Sequence, residues 1–150
     1  MDDTARYFQA CFGDTAGWLA VAIGHEPHVD DAGKYAHKRW EEHAAPWPKR
    51  VEDVIAAIMR SAQSADVYCC PYLMRDRRRT KGNAASHALV HADIDGELDP
   101  DAVRALGGFA VTSGTPGHAH VYVPLSYAVT PTQHEVLCRG LAERLGGDAK

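Results

Sequence analysis

Apolar positions fall into short runs between polar and glycine-rich stretches, and their spacing sets the expected elements. Tyr7, Phe8 and Cys11 recur at helical spacing and predict a short helix over residues 4–12, broken by Gly13-Asp14-Thr15-Ala16-Gly17. The apolar run 18–23 predicts a strand, followed by a polar loop over 24–33 that holds His25 and His28. Tyr35, Lys38, Arg39 and Glu42 are spaced for a helix over 35–43, which Pro46 and Pro48 stop. Val51, Val54, Ile55, Ile58 and Met59 form one stripe of an amphipathic helix over 51–62. A buried strand is expected over 67–72, with Asp66 at its mouth, and another over 88–92 that runs into Asp93-Ile94-Asp95. Residues 100–106 predict a short helix ended by Gly107-Gly108. Phe109-Ala110-Val111 and Val121-Tyr122-Val123 predict two further strands. Thr132-Gln133-His134-Glu135 reads as a capping box for a last helix that turns Val136, Leu137, Gly140, Leu141 and Leu145 to the core and ends at Gly146-Gly147. The order of elements from residue 66 on suits an α+β domain: an antiparallel sheet with helices packed on one face.

A chain of 150 residues is one domain by default and long enough to bury a core. Its net charge of -4 excludes a global basic field, so contact with nucleic acid would need clustered basic residues. The dense basic run is Arg75-Asp76-Arg77-Arg78-Arg79-Thr80-Lys81-Gly82-Asn83. Such runs are usually solvated loops, but Arg77, Arg78, Arg79 and Lys81 are also placed to follow phosphates. No apolar run approaches the length a membrane-spanning helix needs, so no membrane partner is expected. The acidic start Met1-Asp2-Asp3 is unlike a signal peptide. Four cysteines without Cys-x-x-Cys spacing argue against zinc and suggest a reduced, cytoplasmic setting.

Alternation along the strands brings out the candidate chemistry. Asp93 and Asp95 share one strand face while Ile94 points into the core, and His118, His120 and Tyr122 share a face of the later strand. Two carboxylates two residues apart repel each other unless a cation stands between them. Mg²⁺ or Mn²⁺ suits such oxygen ligands and keeps positions open for phosphate oxygens. On its own, Asp93-Ile94-Asp95-Gly96 is equally a strand end turning a corner. Taken alone, His118 and His120 read as solvated strand histidines.

Together these stretches carry a resemblance. His91-Ala92-Asp93-Ile94-Asp95-Gly96 resembles the apolar-Asp-x-Asp motif of the archaeo-eukaryotic primase superfamily. The stretch 112–125, Ser113-Gly114 leading to His118-Ala119-His120 and an apolar strand, is similar to that family's second motif. Asp66-Val67-Tyr68 looks like the strand before the first motif. The resemblance runs over roughly residues 5–147. It extends to primase-polymerase domains of plasmids and phages and to the polymerase domain of bacterial end-joining ligases. Pro116 stands near the position where the end-joining enzymes carry a lysine.

The resemblance implies a primase-polymerase fold, an α/β N-terminal part joined to an RRM-like sheet that carries the acids. It implies a nucleotidyltransferase that adds nucleotides to a primer on a DNA template. Asp93 and Asp95 would hold Mg²⁺ or Mn²⁺, and Ser113, Gly114, His118 and His120 would bind the nucleoside triphosphate. The turn 113–120 is one residue longer than usual, so either histidine could be the family's. His120 is preferred because it directly precedes Val121-Tyr122, whereas His118 follows Gly117 in the turn. The family's third carboxylate falls either at Asp148 or past residue 150, in a longer parent protein. A helicase domain or protein is a further expected partner. Two other classes stay open: a metal-dependent phosphohydrolase using Asp93, Asp95, His118 and His120, and a non-catalytic nucleic-acid-binding domain with a decayed site.

Overall fold

The structure, a computed structural model, describes residues 3–147. Asp148 therefore lies outside the described residues. The fold is mixed α+β, with two three-stranded sheets that are antiparallel throughout. The chain divides into two compact units, Met1–Ala85 and Ser86–Lys150, a finer division than the one domain its length suggests. No helix among the described residues is long and apolar enough to cross a membrane.

The first unit runs α1 (Asp3–Phe12), β1 (Gly17–Val29), β2 (Tyr35–Trp47), α2 (Glu52–Ser61) and β3 (Ala65–Cys69), with strand order β2-β1-β3. β1 is central, which explains its unbroken burial from Leu19 to Ile23 where an edge strand would alternate. Phe8 and Phe12 of α1 pack their rings about 6 Å from that of Trp47. Val54 and Ile58 of α2 are buried as the stripe predicts and Ala57 is buried beside them, whereas Met59 is exposed.

Three expectations fail here. The buried strand expected over 67–72 is β3, which is half-buried at most, holds Asp66 within it and exposes Tyr68. The region 35–43 is not a helix but the first part of β2, and the polar loop expected at 24–33 is mostly the far end of β1. β2 is an edge strand with one neighbour, so it tolerates the charged residues whose spacing imitates a helix. The hairpin is closed by Asp30. Its carboxylate accepts from the backbone N–H of Ala32 and of Lys34, each at 2.9 Å, and Gly33 takes φ +75°.

His37 of β2 lies across Gly24, where a Cβ would stand 2.4 Å from the imidazole. It thus crosses the central strand and donates from Nε2 to Asp66 Oδ2 of β3 at 2.7 Å. The Tyr35 hydroxyl donates to the same oxygen at 2.6 Å.

The second unit runs β4 (His87–Asp95), α3 (Pro100–Ala105), β5 (Phe109–Thr112), β6 (His118–Val129) and α4 (Pro131–Leu145), with strand order β4-β6-β5. Val90, Ala92 and Ile94 of β4, Val121 and Val123 of β6, Val103 of α3, and Leu141 and Ala142 of α4 form one core. Both helices therefore serve the same face of the sheet. α4 begins two residues earlier than expected: Thr130 is its N-cap, and the capping box pairs Thr130 with Gln133. Its buried face also differs. His134, Leu141 and Ala142 are buried, while Val136 and Leu137 are exposed. Gly146 ends the helix at φ +73°, and Gly147 then presses on β4, where a Cβ would stand 2.5 Å from the Asp93 carbonyl oxygen.

Two outcomes follow for the first unit. Gly24→Ala should lower its stability by about 1–3 kcal/mol, because the added methyl meets a buried ring; the urea unfolding midpoint measures this. The bonds from Tyr35 and His37 hold the Asp66 carboxyl below its ordinary range. Its contribution is therefore complete above the unfolded value of about 3.9 and is lost as pH falls through the lower folded value. Asp66→Asn should flatten the fall in melting temperature below about pH 4, and an unchanged acid limb would contradict the assignment.

Candidate functional site

β4 sends Val90, Ala92 and Ile94 into the core, so alternation leaves Asp93 and Asp95 on the opposite face. β6 does the same with Val121 and Val123, which leaves His118, His120 and Tyr122 on that face. The register then decides which side chains meet. Asp93 stands opposite His120, and Asp95 opposite His118. His120 Nδ1 lies 2.5 Å from Asp93 Oδ1, and His118 Nδ1 lies 2.8 Å from Asp95 Oδ1. The four side chains stay open to solvent, from 39% exposure at His118 to 65% at Asp93. Each carboxylate thus has its own imidazole as a hydrogen-bond donor, which relieves the repulsion expected between two bare acids.

His118, expected in the turn, is the first residue of β6. Its N–H donates to Thr115 O and its C=O accepts from Ser113 N–H, both at 3.1 Å. His120 sits further in, paired on its other side with Val111 of β5. Ser113 and Gly114 open the β5–β6 turn at the end where Asp95 and His118 meet. Ser113 Oγ accepts from Thr115 N–H at 3.3 Å, so its hydroxyl organises the turn itself.

The basic run lies in the first unit, and the carboxylates lie in the second. It is an ordered loop built around buried Asn83, whose Nδ2 donates to Asp76 Oδ1 at 2.8 Å and to Arg78 O at 2.7 Å. Arg78 is paired with Asp76 at 2.6 Å, a bond that holds the Asp76 carboxyl well below its usual range. Arg79 is paired with Glu42 at 2.9 Å. Arg77 makes no ion pair among the described residues.

A second cluster escaped the sequence reading. His91 of β4 meets His134 and Cys138 of α4, with one ligand atom from each lying within 4.8 Å of the others. It is the sole group of three or more His, Cys, Asp or Glu side chains so drawn together among the described residues. The two Asp–His pairs do not form such a group. The His134/Cys138 spacing of four on a helix was the available signal, hidden because Val136 and Leu137 claimed the core face. All four cysteines are free thiols.

Neither a scan against family models nor searches of curated proteins and solved structures return a match for this chain.

The pairing within the loop sharpens what its basic residues should do. Arg78 and Arg79 are already neutralised, so Arg77 should dominate any phosphate contact. Arg77→Ala should flatten the slope of log affinity for single-stranded DNA against log salt by about 1. An unchanged slope would leave a solvated loop.

Proposed function

We propose that this chain is a metal-dependent nucleotidyltransferase of the primase-polymerase type, which extends a primer on a DNA template from nucleoside triphosphates. One observation carries the reading. Asp93 and Asp95 face His120 and His118 across an antiparallel strand pair, open to solvent and in the motif order the family resemblance implies. The succession β4-α3-β5-β6-α4 with strand order β4-β6-β5 supports it. This is the β-α-β-β-α part of the split β-α-β arrangement on which an RRM-like sheet is built. Such a sheet alone does not specify polymerisation; the paired acids and histidines supply the inference.

The donor set suits a hard cation. Asp93 and Asp95 offer exposed carboxylate oxygens with room for waters and phosphate oxygens, as Mg²⁺ or Mn²⁺ requires. When bound, such an ion neutralises charge developing at the reacting phosphate and favours the attacking alkoxide. The chain's own residues do the rest. Asp93 fixes the His120 ring through Nδ1, which leaves Nε2 facing outward, where the protonated ring donates to a triphosphate oxygen. Asp95 orients His118 in the same way. The primer 3′-hydroxyl bonds to the α-phosphorus and pyrophosphate leaves. The loop with Arg77 and Lys81 holds nucleic acid, a helicase domain or protein supplies unwound template, and the setting is cytoplasmic.

A phosphohydrolase is the competing reading. The observation in its favour is that each acid already has an imidazole partner, a pairing that can serve water activation as well as triphosphate binding. Extension of a labelled primer with Mn²⁺ and either ribo- or deoxynucleotides separates the two. Template-dependent incorporation supports the transferase, whereas release of phosphate from nucleotide without template supports the hydrolase.

For the transferase, Asp93→Asn and Asp95→Asn should each abolish incorporation while leaving the fold intact, and either variant at wild-type rate with saturating metal would refute it. His120→Ala should raise KM for nucleotide and lower turnover by about 10²-fold. His118→Ala should cost distinctly less, because His118 lies beyond the β5 pairing that braces His120. Steady-state kinetics of both variants decide the order.

A further inference from the structure

We propose that His91, His134 and Cys138 form a binding site for a borderline-soft divalent cation, Zn²⁺, that clips α4 to the outer edge of β4. The inference is independent of the nucleotidyltransferase reading and concerns other residues.

The geometry is that of a ligand set. Zinc binds thiolate at about 2.3 Å and imidazole at about 2.0–2.1 Å, so a tetrahedral centre holds S and N about 3.5–3.6 Å apart. Cys138 Sγ lies 3.5 Å from His91 Nδ1, and 3.7 Å and 3.5 Å from His134 Nδ1 and Nε2. The three sources are complementary. His134 and Cys138 are four apart on α4 and so lie one above the other on one face, while His91 comes from β4. His134 Nε2–H donates to the Leu89 carbonyl at 2.9 Å. That bond fixes the tautomer whose Nδ1 lone pair is directed elsewhere, the backing that metal-bound histidines characteristically have. A nitrogen–sulfur set disfavours Mg²⁺ and Mn²⁺ and selects zinc-like ions, so the site is chemically distinct from Asp93 and Asp95. Three protein ligands leave a fourth position for water or another donor.

The Cys138 thiol gives up its proton when the cation binds. Binding forms the metal–sulfur bond and releases that one proton to solvent.

The clip would act on an exposed strand edge. Among the described residues β4 pairs only with β6, and its other edge is met by α4: His134 on the Leu89 carbonyl, and Cys138 Sγ 3.5 Å from the His91 amide. A metal there would join helix to strand through side chains.

The test is titration of chelator-treated, reduced full-length protein with Co²⁺. One equivalent should produce the near-ultraviolet sulfur-to-cobalt charge-transfer band and the intense visible bands of a tetrahedral centre. Zn²⁺ should bleach both, raise the melting temperature and protect Cys138 from alkylation. Cys138→Ser should abolish the charge-transfer band. His91→Ala, folded by circular dichroism, should weaken Co²⁺ binding about 10-fold or more. Asp93→Asn should keep the band whether or not incorporation is lost, so failure of the acid site and failure of this site are separable. Absence of the band in the wild-type protein, its survival in Cys138→Ser, or unchanged affinity in folded His91→Ala would each overturn the proposal.

Discussion

The antiparallel pairing of β4 with β6 is the constraint on which the second unit depends. Side chains alternate along each strand, so one register settles two things at once. It sends Val90, Ala92, Ile94, Val121 and Val123 into the core, and it sets Asp93 against His120 and Asp95 against His118. A slip by one residue would expose the core and separate every acid from its imidazole. The apolar half of the strand therefore holds the polar half in place. Burial of the four Val and Ile side chains, each contributing roughly 1.5–3 kcal/mol when fully buried, outweighs what the exposed Asp–His pairs can add.

The parts of this arrangement that were readable in sequence are those governed by short-range periodicity. Alternation around Ile94 and around Val121 gave both faces correctly, and the α2 stripe is buried at Val54 and Ile58 as its spacing requires. The pairing of particular acids with particular histidines was not readable, because register is a contact between residues about 25 apart in the chain. β2 was misread for a related reason: a charged edge strand draws its structure from its partner β1, and the Asp30-to-Lys34 turn that joins them is the local signal that outranks the helical spacing.

α4 shows a different limit. Hydrophobicity selects a face with Val136, Leu137, Leu141 and Leu145, of which Leu141 is buried and Leu145 packs on the core, but it passes over the adjoining His134, Cys138 and Ala142. The structure turns that adjoining face to β4 because β4 presents an unpaired edge whose carbonyl and amide need partners, and His134 and Cys138 can supply them. The polar content of that face is thus a response to backbone groups that a hydrophobic pattern does not register. The same circumstance gathered three metal-ligating side chains under the strand that bears the candidate acids.

The close fit of Gly147 against the Asp93 carbonyl adds a mechanical connection. The end of α4 rests directly on the backbone of the residue whose side chain opens to solvent on the opposite face. Any bulk added at position 147 would act as a wedge behind Asp93. It would tilt that carboxylate relative to Asp95 without altering a single functional group, so placement and chemistry at this site can be varied separately from the rear of the sheet.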